Sequence, residues 1–286
     1  TDIFARHIKP YNKNVLVMPN GLDLSNPMWK EEDTKINDRV RISWIGGSSH
    51  HHDLMLLKPS MKLLHNDSSL KGKYQVIMCG YDVRGHVTAI HEDGSQQTRK
   101  ISPAETIWNK FEEIFTNKYN SHLISEEYQK YLKKCANEPY KLNDVYQENY
   151  VRRWTLPLTR YGEHYNYCDV CLAPLAENIF NEVKSELKVI EAGLKRKALI
   201  AQDYGIYSEV IENGVNGILI PKKDNTRGWY KAIKKVVEDK DYRETLSNNL
   251  YNYVIDKYSL EAVTKVRVEF YRKVVEQRKN ENTSLQ

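Results

Sequence analysis

Residues 169–205, DVCLAPLAENIFNEVKSELKVIEAGLKRKALIAQDYG, decide the fold. An apolar run from Val170 to Leu175 ends at Pro174 and a polar turn, which fits a buried strand. Apolar residues at Val183, Leu187, Ile190 and Leu194 then recur at four, three and four, the stripe of an amphipathic helix. Asn181 stands where its N-cap belongs. A second apolar run, Ala198 to Ala201, leads into Asp203, Tyr204 and Gly205. Strand, helix and strand in about 35 residues make a βαβ unit, and such units build parallel sheets that bind ligands beyond the carboxyl ends of their strands. The predicted fold class is α/β: a Rossmann-like parallel sheet flanked by helices, with further helices at the C-terminus.

The helix of this unit carries a second stripe. Asn181, Lys184, Lys188 and Glu191 recur at three, four and three, about 100° from the apolar face. Lys184 falls in the first turn, where the macrodipole disfavours a cation. Lys184–Lys188 and Glu182–Glu186 are like-charge pairs four apart, each costing about 0.2–0.5 kcal/mol. An anion held between the helix N-terminus and the two lysines would explain the pattern. A solvated face with Glu191 paired to Lys195 explains it too.

The 286 residues are 40% hydrophobic and 28% charged with a net charge of +5, the composition of a globular domain. No apolar run approaches a membrane span, and the opening TDIFARHIKPYN lacks the apolar core of a signal peptide. The modest, dispersed positive charge suits an anionic small ligand or an anionic membrane surface rather than nucleic acid. Four cysteines are too few for a disulfide scaffold of this size. Cys168-x-x-Cys171 straddles a strand start, where residues three apart point to opposite faces, so buried thiols are preferred to a metal or redox pair.

Along the chain, residues 1–13 read as a short helix and Val15–Met18 as a strand ending at the turn Pro19-Asn20-Gly21. Residues 25–38 read as a linker. Val40–Ile45 is a strand, followed by Gly46-Gly47-Ser48-Ser49 and a helix from about His50 to His65. Strand, glycine turn and helix offer backbone N–H groups to a phosphate. The triplet His50-His51-His52 with Asp53 invites a metal, but consecutive helix residues project about 100° apart and cannot share one ligand sphere. No metal is therefore expected, and His50 is the nearest of the three to the glycine turn. Tyr74–Cys79 is a further strand, residues 86–101 a loop, and Pro103 to about Asn137 helical, with Trp108, Phe111 and Phe115 as packing residues. Tyr146–Leu156 is mixed strand, with a helix from Pro157 to about Tyr167. Ser208–Glu212 is a short helix and Ile218–Ile220 a strand. Residues 225–278 hold three amphipathic helices, and 279–286 a disordered tail.

The run D-V-x-L-A-P-L-x-x-N-x-F-N-x-x-K-S-x-L-K-x-x-E-A-G at 169–193 resembles the donor-binding motif of group 1, family 4-type glycosyltransferases, in its Lys-Ser variant. Val17-x-Pro-Asn-Gly-x-Asp23 and ENGVNGILIP at 212–221 resemble other parts of that family. The resemblance implies one half of a GT-B fold: residues 1–24 as the tail of an N-terminal domain, and 25–278 as the nucleotide-sugar-binding domain with a helical insert at about 86–140. It implies a cytoplasmic, bacterial hexosyltransferase of polysaccharide biosynthesis that needs no cofactor and is inactive as this segment alone. Its partners would be a nucleotide-sugar donor and a saccharide or lipid-linked acceptor, with a peripheral place at the inner membrane face. Gly46, Gly47, Ser48, His50, Asn181, Lys184, Ser185 and Lys188 are implied for the donor and its phosphates, and Glu191, Trp154 and Thr155 for ribose and base. Catalytic residues are not named by the motif. Where the family commonly carries a first glutamate, this chain has Val183. That departure favours one alternative, a non-catalytic nucleotide-binding module; a sugar-nucleotide epimerase on the same fold is the other.

Overall fold

A computed structural model describes residues 1–32, 34–35, 37–82, 85–101, 105–116 and 150–283. Its centre is a six-stranded sheet of β1 (Val40–Ile45), β2 (Tyr74–Tyr81), β5 (Tyr150–Trp154), β6 (Val170–Ala173), β7 (Ala198–Gln202) and β8 (Ile218–Ile220). The order is β5-β2-β1-β6-β7-β8, and every pairing is parallel. A separate hairpin of β3 (His86–Ile90) and β4 (Gln96–Lys100) lies between β2 and the next helix.

Burial on both faces explains the continuous apolar runs of the strands. Ile42, Trp44, Val76, Met78, Val170, Leu172 and Ile200 face one core layer, closed by α3 (Lys58–Asn66), α4 (Trp108–Thr116) and α8 (Asn225–Glu238). Ile45, Ile77, Cys79, Cys171, Ala173 and Leu199 face the other. That layer is closed by a 3-10 helix at Leu158–Tyr167, by α6 (Leu187–Leu194) and by α9 (Lys240–Tyr258). At the amino end of the sheet Arg41 clamps Asp169 with Nε and Nη2 at 3.1 and 2.9 Å, while its backbone N–H donates to the same carboxylate at 2.8 Å. This fixes β1 beside β6. Among the described residues no helix is long and apolar enough to cross a membrane.

Several expectations are corrected. Val15–Met18 forms no strand, since among the described residues no strand pairs with it, and Val15, Leu16 and Val17 instead line a cavity between α1 (Asp2–Ile8) and α9. Residues 86–101 are a hairpin rather than a loop, so the expected helical insert begins as β structure. The helix at 50–65 divides into α2 (His51–Met55) and α3, with Pro59, which has no N–H, in the first turn of α3. Residues 158–167 are 3-10 throughout. The last helix, α10, runs from Leu260 to Thr283, past the expected start of a disordered tail. The helix expected at 103–137 is seen as α4, with Trp108, Phe111 and Phe115 buried; residues 117–149 lie outside the described ones. Cys168 and Cys171 share the second core layer with their thiols hydrogen-bonded, because Cys168 stands outside the strand and escapes its alternation.

Candidate functional site

From β1 the chain moves to β2 and out to β5, then returns across the sheet to β6, β7 and β8. The switch point lies between β1 and β6, where an open α/β sheet offers its ligand crevice. The carboxyl ends of these two strands open onto a cavity of about 200 Å³. Trp44 and His50 line it from the β1 side, Lys184, Ser185 and Lys188 from the segment after β6, and Tyr207 from α7 (Ile206–Val210). Four of the residues singled out in the sequence thus meet in one place: His50, Lys184, Ser185 and Lys188.

Close approach accounts for the glycine turn. A Cβ on Gly46 would stand 2.5 Å from the Trp44 ring, whereas one on Gly47 would meet nothing within 4 Å. Gly47 is exposed and extended, and Ser48 begins a single 3-10 turn. Gly46, Gly47 and Ser48 sit at the end of β1 but are not part of the cavity wall. Gly80, at the end of β2, has φ +102°, and its Cβ would lie 2.1 Å from the Gly46 carbonyl oxygen. Gly46 N–H donates to Cys79 O at 3.2 Å, so the two turns are pinned together.

The stretch after β6 departs from one continuous helix. Asn178, not Asn181, caps α5 (Ile179–Glu182), accepting from Asn181 N–H at 2.9 Å. The chain then leaves helical geometry at 183–186 before α6 begins. Lys184 therefore does not sit in a helix first turn, and the dipole cost ascribed to it does not arise. The break is held from both sides. Glu186 is buried and bonded to Tyr258, and Lys184 Nζ lies 4.0 Å from Asp53 Oδ2 and 4.9 Å from the Phe180 ring centroid.

Asp53 is the centre of this network. Its side chain is only 6% exposed. Oδ1 accepts from Ala176 N–H at 2.7 Å and from Asn181 Nδ2 at 2.8 Å, and Oδ2 meets His50 Nδ1 at 2.8 Å. Burial alone would raise the Asp53 pKa, but His50, the Ala176 amide and the Lys184 charge hold it below the usual carboxylate range. Asn181 Nδ2 donates to Asp53 and to Ala176 O at 2.7 Å, which makes the residue a buried strut between them. Asp53 was not singled out from sequence as part of a site, except within the dismissed metal cluster. His51 stacks on Phe111. Among the described residues no three His, Cys, Asp or Glu side chains are placed to hold a metal ion.

Lys188 is half-buried. Its ammonium donates to Tyr161 Oη at 2.5 Å and lies 3.3 Å from Glu191 Oε2, which also accepts from Tyr165 Oη at 2.7 Å. Burial would depress the Lys188 pKa, but the Glu191 carboxylate and Tyr161 raise it, so the charge is kept. Glu191 is buried one turn further along α6 than Lys188 and does not pair with Lys195. Lys195 is itself fully buried, donating to Lys30 O at 2.6 Å and Asn166 Oδ1 at 2.9 Å, with its pKa lowered to about 8 by burial. His164, on the 3-10 helix, is 1% exposed, and among the described residues neither ring nitrogen has a hydrogen-bond partner. Burial first, then the charges of Arg153 and Lys188, lower its pKa to about 3. Trp154 and Thr155 do not join the cavity. They lie at the end of edge strand β5, Trp154 buried against Tyr81 and Thr155 N–H bonded to Tyr81 O at 2.9 Å.

A parallel sheet flanked by helices, with its order reversing between β1 and β6, is a Rossmann-like domain. Residues 106–239, just under half of the chain, match the family model described as "Glycosyl transferases group 1", and the parallel sheet with its flanking helices matches the Rossmann-like fold of GT-B structures. An uncharacterized glycosyltransferase of Methanocaldococcus jannaschii is 28% identical over 113 residues, which are 39% of this chain and 27% of that protein. A glycosyltransferase from Rickettsia africae superposes with a TM-score of 0.62 at 14% identity, over 96% of this chain and 62% of the other. Anabaena Alr3699/HepE, solved in complex with UDP and glucose, superposes with a TM-score of 0.53 at 14% identity, over 91% of this chain and 57% of the other. The chain thus spans less than two thirds of each of these relatives.

Proposed function

We propose that this chain is the donor-binding half of a glycosyltransferase, taking a nucleotide-sugar in the crevice between β1 and β6. The observation that carries the reading is the convergence of His50, Lys184, Ser185 and Lys188 on one cavity at the switch point. These groups match a diphosphate, whose charge must be stabilised as the sugar leaves. Superposable HepE structures hold UDP and UDP-glucose, which supports the same ligand class here. Among the described residues Glu191 is bonded through Oε2 only, which leaves Oε1 to accept from a ribose hydroxyl.

The chain is expected to bind a nucleoside diphosphate without added metal. Calorimetry with UDP, GDP and ADP, each with and without a chelator, checks this; binding that disappears with the chelator rejects the metal-free claim. Incubation of longer protein with labelled nucleotide-sugars then separates transfer from epimerisation and from binding without turnover.

Lys184 gives a sharper test. Lys184→Ala is expected to weaken diphosphate binding by roughly 1.5–3 kcal/mol, the loss of a charged hydrogen bond. Affinity for the nucleoside lacking phosphates should hardly change. Thermal melts should move little, since the Lys184–Asp53 contact is long and Asp53 keeps three other partners. Equal diphosphate affinity in variant and parent would remove Lys184 from the phosphate site.

A further inference from the structure

We propose that His50 and Asp53 form a proton-carrying dyad at the diphosphate end of the cleft: Asp53 is the positioning residue, and His50 Nε2 is the phosphate contact. The inference rests on the donor-site reading above and adds a protonation step to it. Asp53 is buried and fixed from the far side by the Ala176 amide and Asn181, so its remaining oxygen holds His50 through Nδ1. The Trp44 indole meets the imidazole edge-on at 6.0 Å. With Nδ1 engaged and the ring confined, Nε2 is the corner left to the cavity that His50 lines.

The groups around His50 set the direction of the effect. Asp53, on its own helix, is an ionised carboxylate; Lys184 and Lys188 line the cavity from the segment after β6, and Tyr207 lines it from α7. A bound diphosphate places negative charge beside Nε2 and screens the lysines. The imidazole then has an anion on each nitrogen, and it takes up a proton as the ligand binds.

The test uses nucleotide-sugars, whose diphosphate diester keeps a constant charge between pH 5.5 and 8.5. UDP-glucose, GDP-mannose and ADP-glucose are titrated calorimetrically at several pH values, and at pH 7.5 in two buffers of different ionisation heat. For the parent, affinity is expected to fall by up to tenfold per pH unit above the histidine range, with net proton uptake on binding. His50→Gln should bind more weakly with a flat pH profile and no uptake. Asp53→Asn should also lose the uptake, because a carboxamide donating to Nδ1 opposes imidazolium. Melting curves check that each variant is folded; if Asp53→Asn is not, the His50→Gln titration decides. A pH-independent parent, or uptake that survives His50→Gln, overturns the dyad and leaves the donor site standing. No binding of any of the three nucleotide-sugars overturns both.

Discussion

Gly80→Ala is expected to lower the unfolding free energy by about 3–5 kcal/mol, combining backbone strain with a steric clash. The φ of +102° lies where L side chains are rarely found. The added methyl would also sit 2.1 Å from the Gly46 carbonyl oxygen, a backbone atom that no rotamer change can move. Relief requires β2 to shift from β1 or the Gly46-Gly47 turn to swing away, and either disturbs the mouth of the crevice. Nucleotide affinity should therefore drop along with stability. Gly47→Ala is the control: its φ is negative and its Cβ meets nothing, so stability should change by less than about 0.5 kcal/mol. Urea denaturation of the two variants measures the contrast. A Gly80→Ala protein within about 1 kcal/mol of the parent would mean that the two turns do not touch as described.

His164 carries the second large effect. A buried imidazole with neither nitrogen bonded costs free energy that a leucine of similar size would not, so His164→Leu should stabilise the domain at pH 7.5 by about 1–3 kcal/mol. The pH dependence has a definite sign. The folded-state pKa is depressed from 6.5 to about 3. Below pH 6.5 the unfolded chain binds a proton that the folded chain refuses, and stability falls as pH falls towards 3. By pH 5 the loss from this residue is about 2 kcal/mol relative to pH 7.5. Denaturation at both pH values should show that loss in the parent and not in the leucine variant, over and above what the carboxylates contribute to both. Equal acid losses in the two proteins would mean that His164 is solvated or paired. If the leucine variant is more stable but binds nucleotide less well, the unpaired histidine serves the neighbouring Lys188.

The strands were legible because burial on two faces writes continuous apolar runs, as at Val40–Ile45 and Ala198–Gln202. The break at 183–186 was not, because Val183 and Leu187 keep helical spacing across it and Lys, Ser and Glu are all admissible in a helix. What breaks the helix is tertiary: Tyr258 holds Glu186, and Asp53 lies beside Lys184. The choice of cap was also hidden, since Asn178 and Asn181 are equally able N-caps and only the loop path selects the first. Asp53 meets Asn181 across 128 residues of sequence, a contact that no local pattern encodes. The hairpin at 86–100 could have been found. Its strands alternate no apolar face because both sides are exposed, but Asp93-Gly94 is a strong hairpin signal, and Gly94 takes φ +79°.

That hairpin weighs little in the chain entropy of the domain. It interrupts the connection from Tyr81 at the end of β2 to Trp108 at the start of α4, and every residue of both its strands is exposed. Removing residues 86–100 would more than halve that connection, yet closure entropy grows only with the logarithm of length, a difference of about 0.8 kcal/mol. The sheet therefore tolerates the excursion almost freely, and the Asp93-Gly94 tip is where a fluorophore or an inserted epitope would perturb the domain least.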